Sequence, residues 1–151
     1  MGLLTEEHLA AIGMSEPPVT VEVTRRDIVK YSTATEQRQE RFLSGDEAPP
    51  MFVFNLFTEI PTVDQLRPDG LARRAINGPS LPLKRVMAGG TEIRVHRPIV
   101  PGDVLTGTRT IVDLFEKKGR SGPLIFTVRE LVVTDVDGAT VLEERQTGIA
   151  R

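Results

Sequence analysis

From Gly89-Gly90 onward the chain alternates. Thr91 to Pro98, Asp103 to Phe115, Leu124 to Thr134 and Ala139 to Ile149 are long stretches rich in Val, Ile and Thr in which apolar and polar residues take turns, the period of half-buried β-strands. Their connections are short. Gly119-Arg120-Ser121-Gly122-Pro123 and Asp135-Val136-Asp137-Gly138 carry the turn chemistry that joins antiparallel neighbours. A sheet of this kind must cover one face, and one segment is apolar enough to do it. Met51-Phe52-Val53-Phe54-Asn55-Leu56-Phe57-Thr58-Glu59-Ile60 is apolar nearly all round, as a buried helix is. Pro50 suits the first helical position, where its missing N–H is no loss, and Pro61 ends the run. The pattern predicts an antiparallel sheet wrapped round a central helix over Met51 to Ile60, an α+β architecture.

Upstream, Thr5 to Ile12 reads as a short helix with Thr5 as N-cap, Glu6 and Glu7 in its first turn and Gly13 as its stop. His8 belongs to that helix and is expected in solvent. Pro17-Pro18 precedes the alternating strand Val19 to Val23, after which Thr24 caps a helix near Arg25 to Ala34 with Ile28, Tyr31 and Ala34 at helical spacing. Thr62 to Leu83 has no sustained strand pattern. With Arg67-Pro68-Asp69-Gly70 and Asn77-Gly78-Pro79 it reads as a surface excursion, with a helical turn near Leu71 to Ala75. Carrying Arg67, Arg73 and Arg74, it is either a lid over a pocket or an interface segment.

Composition narrows the function classes. The length of 151 residues suits one domain with one core, taken as residues 1–151. The absence of cysteine excludes disulfides, thiolate metal sites and a cysteine nucleophile. Nineteen basic and 21 acidic residues give a net charge of −2, with 5% aromatics, which is not the footprint of a nucleic-acid binder. His8 and His96, the two histidines, are too far apart to suggest a metal site, and no cofactor is expected. The first residues show no basic n-region and no apolar run long enough for a leader or membrane span, so a cytoplasmic protein is expected.

Five strings, in order, resemble the MaoC-like hydratase/dehydratase family, particularly the N-terminal, fungal fatty-acid-synthase dehydratase-like half of its double-hot-dog members. They are Ile28-Val29-Lys30-Tyr31-Ser32-Thr33-Ala34-Thr35, Ala48-Pro49-Pro50-Met51-Phe52, Met87-Ala88-Gly89-Gly90-Thr91-Glu92-Ile93, His96-Arg97-Pro98-Ile99-Val100-Pro101-Gly102-Asp103, and Glu116-Lys117-Lys118-Gly119-Arg120-Ser121-Gly122-Pro123-Leu124. The last looks closest to mesaconyl-CoA hydratase-like proteins. The resemblance spans roughly Val19 to Ile149 and implies a hot-dog fold. It also implies reversible hydration of the α,β double bond of an acyl thioester of coenzyme A or acyl carrier protein, with a second hot-dog subunit or a homodimer as partner.

Catalytic members of such a family use an Asp and a His five residues apart to hold and deprotonate water and to protonate the α-carbon side. Backbone N–H groups near the start of the buried helix meet the thioester oxygen. Registered on the helix ending at Ala34-Thr35, those positions hold Gln37 and Phe42. Gln does not titrate and Phe offers no lone pair, so the half-site reads as catalytically empty. The resemblance then implies a non-catalytic subunit of an (R)-specific enoyl-thioester hydratase or 3-hydroxyacyl-thioester dehydratase, a hydro-lyase. Two alternatives stand beside it: a self-sufficient homodimeric hydratase or thioesterase using Glu36, Glu40 or His96, and a dead homodimer that binds acyl thioesters.

Candidate substrate-binding residues are Pro50 and Met51 at the helix start, Gly89 and Gly90, and Lys117 and Arg120. Gly89-Gly90 is either a close backbone approach to ligand or a bulge that bends the sheet. Lys117, Lys118 and Arg120 either meet coenzyme A phosphates or form a solvated hairpin tip. His96 reads as a strand-end histidine with a structural hydrogen bond, and Asp103 as turn chemistry.

Overall fold

The computed structural model describes residues 2–54, 56–58, 60–70 and 78–151. Five strands form one sheet in the order β1-β3-β4-β5-β2, every pairing antiparallel. They are β1 (Val19–Glu22), β2 (Val86–Val95), β3 (Val104–Gly119), β4 (Gly122–Thr134) and β5 (Thr140–Ala150). Before and between them lie three helices, α1 (Glu6–Leu9), α2 (Arg25–Ala34) and α3 (Glu40–Leu43), and two 3-10 turns, Pro50–Phe54 and Val63–Gln65. No helix among the described residues is long and apolar enough to cross a membrane.

The local signals act where the sequence places them. Thr24 caps α2 by accepting from the Asp27 N–H, and Ile28 and Ser32, one turn apart, face inward and are fully buried. Thr5 caps α1, and His8, partly exposed on that helix, makes hydrogen bonds at the surface: its Nδ1 lies 3.0 Å from the Thr5 nitrogen and its Nε2 3.2 Å from the Ser80 carbonyl.

The expected central helix is corrected. The described residues of Met51 to Ile60 hold no α-helix; the first of them make the 3-10 turn Pro50–Phe54, and the chain turns again at Leu56 and Phe57. Phe52, Val53 and Phe57 are buried, but Ile60 is 90% exposed. Aromatic and β-branched residues are weak helix formers, and proline brackets the run at both ends. Packing then decides. Phe57 lies so close over Gly107 that a Cβ there would sit 2.3 Å from the Phe57 ring, a contact that fixes the chain irrespective of helical propensity. Among the described residues the longest helix is α2, whose Tyr31 meets Phe52 edge-on with ring centroids 5.6 Å apart.

Directly opposed residues of neighbouring strands share a face, so the registers define the inner face row by row. One row is Gly107, Val133, Leu142 and Val95; the next is Arg109, Leu131, Glu144 and Ile93; then Ile111, Arg129, Gln146 and Thr91; then Leu114, Thr127, Gly148 and Ala88; and last Glu116, Ile125, Ala150 and Val86. At one end the core joins Val133, Leu131 and Leu142 to Val23, Ile28, Phe52, Val53, Phe57 and Leu105. At the other end Leu114, Ile125 and Ala150 pack beneath Leu3, Leu4, Leu81 and Leu83. The N-terminal segment is held there by Glu116, whose carboxylate accepts from the Leu4 N–H.

Candidate functional site

The segment after α2 carries the positions expected to be catalytic. Glu36 takes a left-handed conformation, with φ 54°, and reverses the chain out of the helix. The Gln37 side chain donates to Thr35 Oγ1 at 3.2 Å. Phe42 is 5% exposed and lies under the Arg41 guanidinium, 4.7 Å from its ring centroid. One position is thus a neutral amide engaged locally and the other a packed ring; neither moves a proton. Glu36 and Glu40 are exposed.

His96 stands at the end of β2 with its Nε2 2.8 Å from Glu143 Oε2. Glu143 pairs with Arg94 in the β2–β5 register, one residue out of phase with the inward Glu144, so this histidine–carboxylate pair belongs to the outer face. Asp103 closes the turn before β3, accepting from the Val100 N–H at 3.0 Å and from Arg97 at 2.9 Å. That partnership holds the Arg97 guanidinium above its ordinary pKa.

The candidate binding residues fall in three places. Pro50 and Met51 open the 3-10 turn, both exposed. Gly89 and Gly90 lie at a register shift between Ala88 and Gly90, a bulge in β2; Gly90 has φ 153°, and a Cβ on Gly89 would meet Ile149 at 2.9 Å. Lys117 lies on the outer face with its Nζ 5.2 Å from the centroids of both Phe115 and Phe126, which stack 5.0 Å apart. Arg120 is exposed in the β3–β4 turn. Along β4, the eight residue-to-residue steps from Ile125 to Val133 put roughly 25 Å between the hairpin end and the core beneath the 3-10 turn, at about 3.3 Å per step. One chain therefore does not gather Lys117 and Arg120 with Pro50 and Met51. The helical turn expected near Leu71 to Ala75, with Arg73 and Arg74, lies outside the described residues.

A cluster that the sequence reading did not single out crosses the middle of the inner face. Residues Gly13 to Glu16 extend the β1 edge along β3: Glu16 N–H donates to the Arg109 carbonyl at 2.8 Å, Ile111 N–H to Met14, and Ser15 bridges Thr110. This lays Glu16 beside Arg109, its carboxylate 3.7 Å from the guanidinium. A cleft between them is lined by Met14, Ser15, Glu16, Gly78, Arg109, Thr110, Ile111 and Arg129. Arg129 Nε and Glu144 Oε2 are buried without hydrogen-bond partners among the described residues. Burial pushes the Glu144 carboxyl above its ordinary pKa against the opposing pull of Arg109. Burial likewise lowers that of Arg129, which Glu16 partly offsets. Among the described residues no group of three or more His, Cys, Asp or Glu is placed to hold a metal ion.

Comparison with known proteins places this architecture. A family model, the FAS1-like dehydratase domain region, matches residues 10–144. Over 78 residues, 52% of this chain, the sequence is 35% identical to the mesaconyl-C(4)-CoA hydratase of Chloroflexus aurantiacus; the match spans only 28% of that protein's length. The fold is similar to that of the ChsH1-ChsH2 complex from Mycobacterium tuberculosis, with a TM-score of 0.69 at 19% identity, covering 96% of this chain and 89% of that one. It is also similar to the C-terminally truncated HadBC (3R-hydroxyacyl-ACP dehydratase) complex of the same organism, with a TM-score of 0.67 at 20% identity over 93% and 97% of the two chains. With its five-stranded antiparallel sheet and the match over residues 10–144, the chain belongs to the FAS1-like dehydratase-region family of MaoC-like hot-dog proteins.

Proposed function

We propose that the chain is the non-catalytic hot-dog domain of an (R)-specific enoyl-thioester hydratase or 3-hydroxyacyl-thioester dehydratase working in the cytoplasm. In this reading it walls part of the acyl-thioester pocket while a second hot-dog domain provides acid and base. The observation that carries the proposal is the pair Gln37 and Phe42. Adding water to an enoyl thioester requires a base to take a proton from the water as its oxygen bonds the β-carbon, and an acid to protonate the α-carbon. A local amide and a ring buried under Arg41 do neither.

The free edge of β2 supports a second subunit. Its ten residues pair with β5 on one side, are exposed along nearly their whole length and have no strand on the other side among the described residues, and an edge of that length is a template for another strand. Two of the solved structures with this fold are two-component complexes by name. The thioester is carried by coenzyme A or by acyl carrier protein.

A self-sufficient enzyme is the competing reading, favoured by the His96–Glu143 pair at 2.8 Å; its place on the outer face counts against it. The test is to purify the chain alone and assay a panel of enoyl-CoAs with and without a catalytically intact hot-dog partner. Each absent acid–base group costs roughly 10²–10⁴ in rate, so turnover is expected only in the complex, and His96→Ala in that complex should change it little. Ordinary turnover by the chain alone, lost in His96→Ala, would put the self-sufficient enzyme in its place.

A further inference from the structure

The inner face of the sheet carries a charged belt, Arg109, Arg129 and Glu144, between two apolar ends. The outer face is ordered differently. Residues one step out of phase with the inner rows form the outer ones, and the most apolar is Phe115, Phe126, Ile149 and Met87, opposed in turn across β3, β4, β5 and β2. At about 4.8 Å per strand this row is about 14 Å wide. None of the four belongs to either apolar core, Met87 is 40% exposed, and the Phe115 and Phe126 rings stack nearly parallel, 3° apart. Toward the β3–β4 hairpin the next row is basic: Lys117 opposes Leu124, and Arg85 exchanges both backbone hydrogen bonds with Arg151, with Arg120 beyond in the turn. On the other side the rows bear acids, Asp113 opposite Val128 and then Glu92 opposite Arg145. Among the described residues Arg85, Arg120, Asp113 and Glu92 make no ion pair.

An apolar row with cations along one side and anions along the other is complementary to itself when turned by half a revolution. We propose that this outer face is where two copies of the chain pack back to back, about a two-fold axis normal to the sheet between Phe126 and Ile149. The rotation lays β3 over β2 and β4 over β5 of the second copy. Phe115 then meets Met87, Phe126 meets Ile149, Arg85 lies over Asp113, and Arg120 comes over Glu92. Gly90, which bears no side chain, leaves room opposite Lys117. Every contact occurs twice, as a two-fold requires. Packed sheets lie about 10 Å apart, close enough for the apolar rows to interdigitate and for arginine and carboxylate side chains to reach across. The edge of β2 stays open in this arrangement, so the contact joins two copies whether or not each holds a second subunit, and it does not depend on the thioester reading.

Sedimentation equilibrium of the full chain tests the contact. Arg85→Glu sets like charges opposite Asp113 twice in each pair, and the association constant should fall about tenfold or more; Asp113→Arg should do the same opposite Arg85. Combined in one chain, or mixed as two single variants, the reversals again oppose unlike charges at every site and should regain wild-type association. Asp113 lies on β3, three strands from the β2 edge, so rescue through it is not edge pairing. Arg120→Glu and Glu92→Arg, alone and together, repeat the test away from the β3 bulge where Asp113→Arg does not fold. Association unmoved by Arg85→Glu and Arg120→Glu, or lowered by the single reversals and not regained in the combinations, overturns the proposal. So does a wild-type chain with no association for the reversals to lower.

Discussion

The two apolar ends of the inner face are closed by different means. At one end, segments consecutive in the chain supply the cover: Val23 from the link between β1 and α2, Ile28 from α2, and Ala48, Phe52, Val53 and Phe57 from the stretch that follows it meet Leu105, Leu131, Val133, Val141 and Leu142 from the sheet. At the other end three buried residues, Leu114, Ile125 and Ala150, lie under four partly buried leucines brought from residues 3–4 and 81–83. The first end is a folding core with many mutual contacts. The second is a closure whose cover comes from two segments far apart in sequence, and such regions open at lower free energy than the core they adjoin. The charged belt separates them.

The largest effect should come from emptying the first end. Leu105 is fully buried, and Leu105→Ala is expected to cost about 2–5 kcal/mol by lost burial and the cavity left behind, read as a lower midpoint in urea with unchanged slope. The belt should respond more moderately and with a pH signature. Glu144 has a folded-state pKa raised chiefly by burial, so the native state holds its proton more tightly than the unfolded chain does. That contribution to stability is present in acid and is lost as pH rises from the ordinary carboxylate range through the raised value. Glu144→Gln, neutral throughout, should flatten this decline, so urea midpoints of the two proteins should diverge in the variant's favour as pH increases. An unaltered slope would place the pH dependence elsewhere. The smallest effect belongs to the second end: Leu81→Ala removes a partly buried cover, and a loss of about 1 kcal/mol or less is expected, in line with exposed and partly exposed substitutions. Hydrogen exchange should quicken around residues 3–4 and 81–84 while amides of α2 keep their protection. If Leu81→Ala instead destabilises as much as Leu105→Ala, the two ends form one cooperative core.

Much of the fold was legible because its signals are local. The alternation after Gly89, the Gly-rich turns and the Thr24 cap specify strands, hairpins and α2, and they act in the structure as elementary stereochemistry requires. The segment Met51 to Ile60 was misread for a reason its own residues cannot reveal. An all-apolar run indicates burial, but the contact of Phe57 with Gly107, fifty residues away, decides its shape. That Gln37 does not titrate and Phe42 offers no lone pair to a water follows from residue chemistry alone; that they stand at the acid and base positions comes from the family register and is part of the proposal. The belt was missed because alternation was noted without its phase. With Leu131 and Val133 facing inward, Arg129 must do so too, and the antiparallel register carries Arg109 and Glu144 onto the same face. A charged residue on the apolar phase of a strand was the available signal.

The exposed edge of β2 has a consequence for how such a protein is made. Among the described residues no strand pairs with the outer side of these ten residues, and an edge of that length is a template for another chain of the same kind. If the second hot-dog subunit proposed above covers this edge, the ratio in which the two are synthesised governs solubility: excess of this chain should accumulate as aggregate or be degraded, and co-expression from one transcript should raise its yield without any change to its sequence.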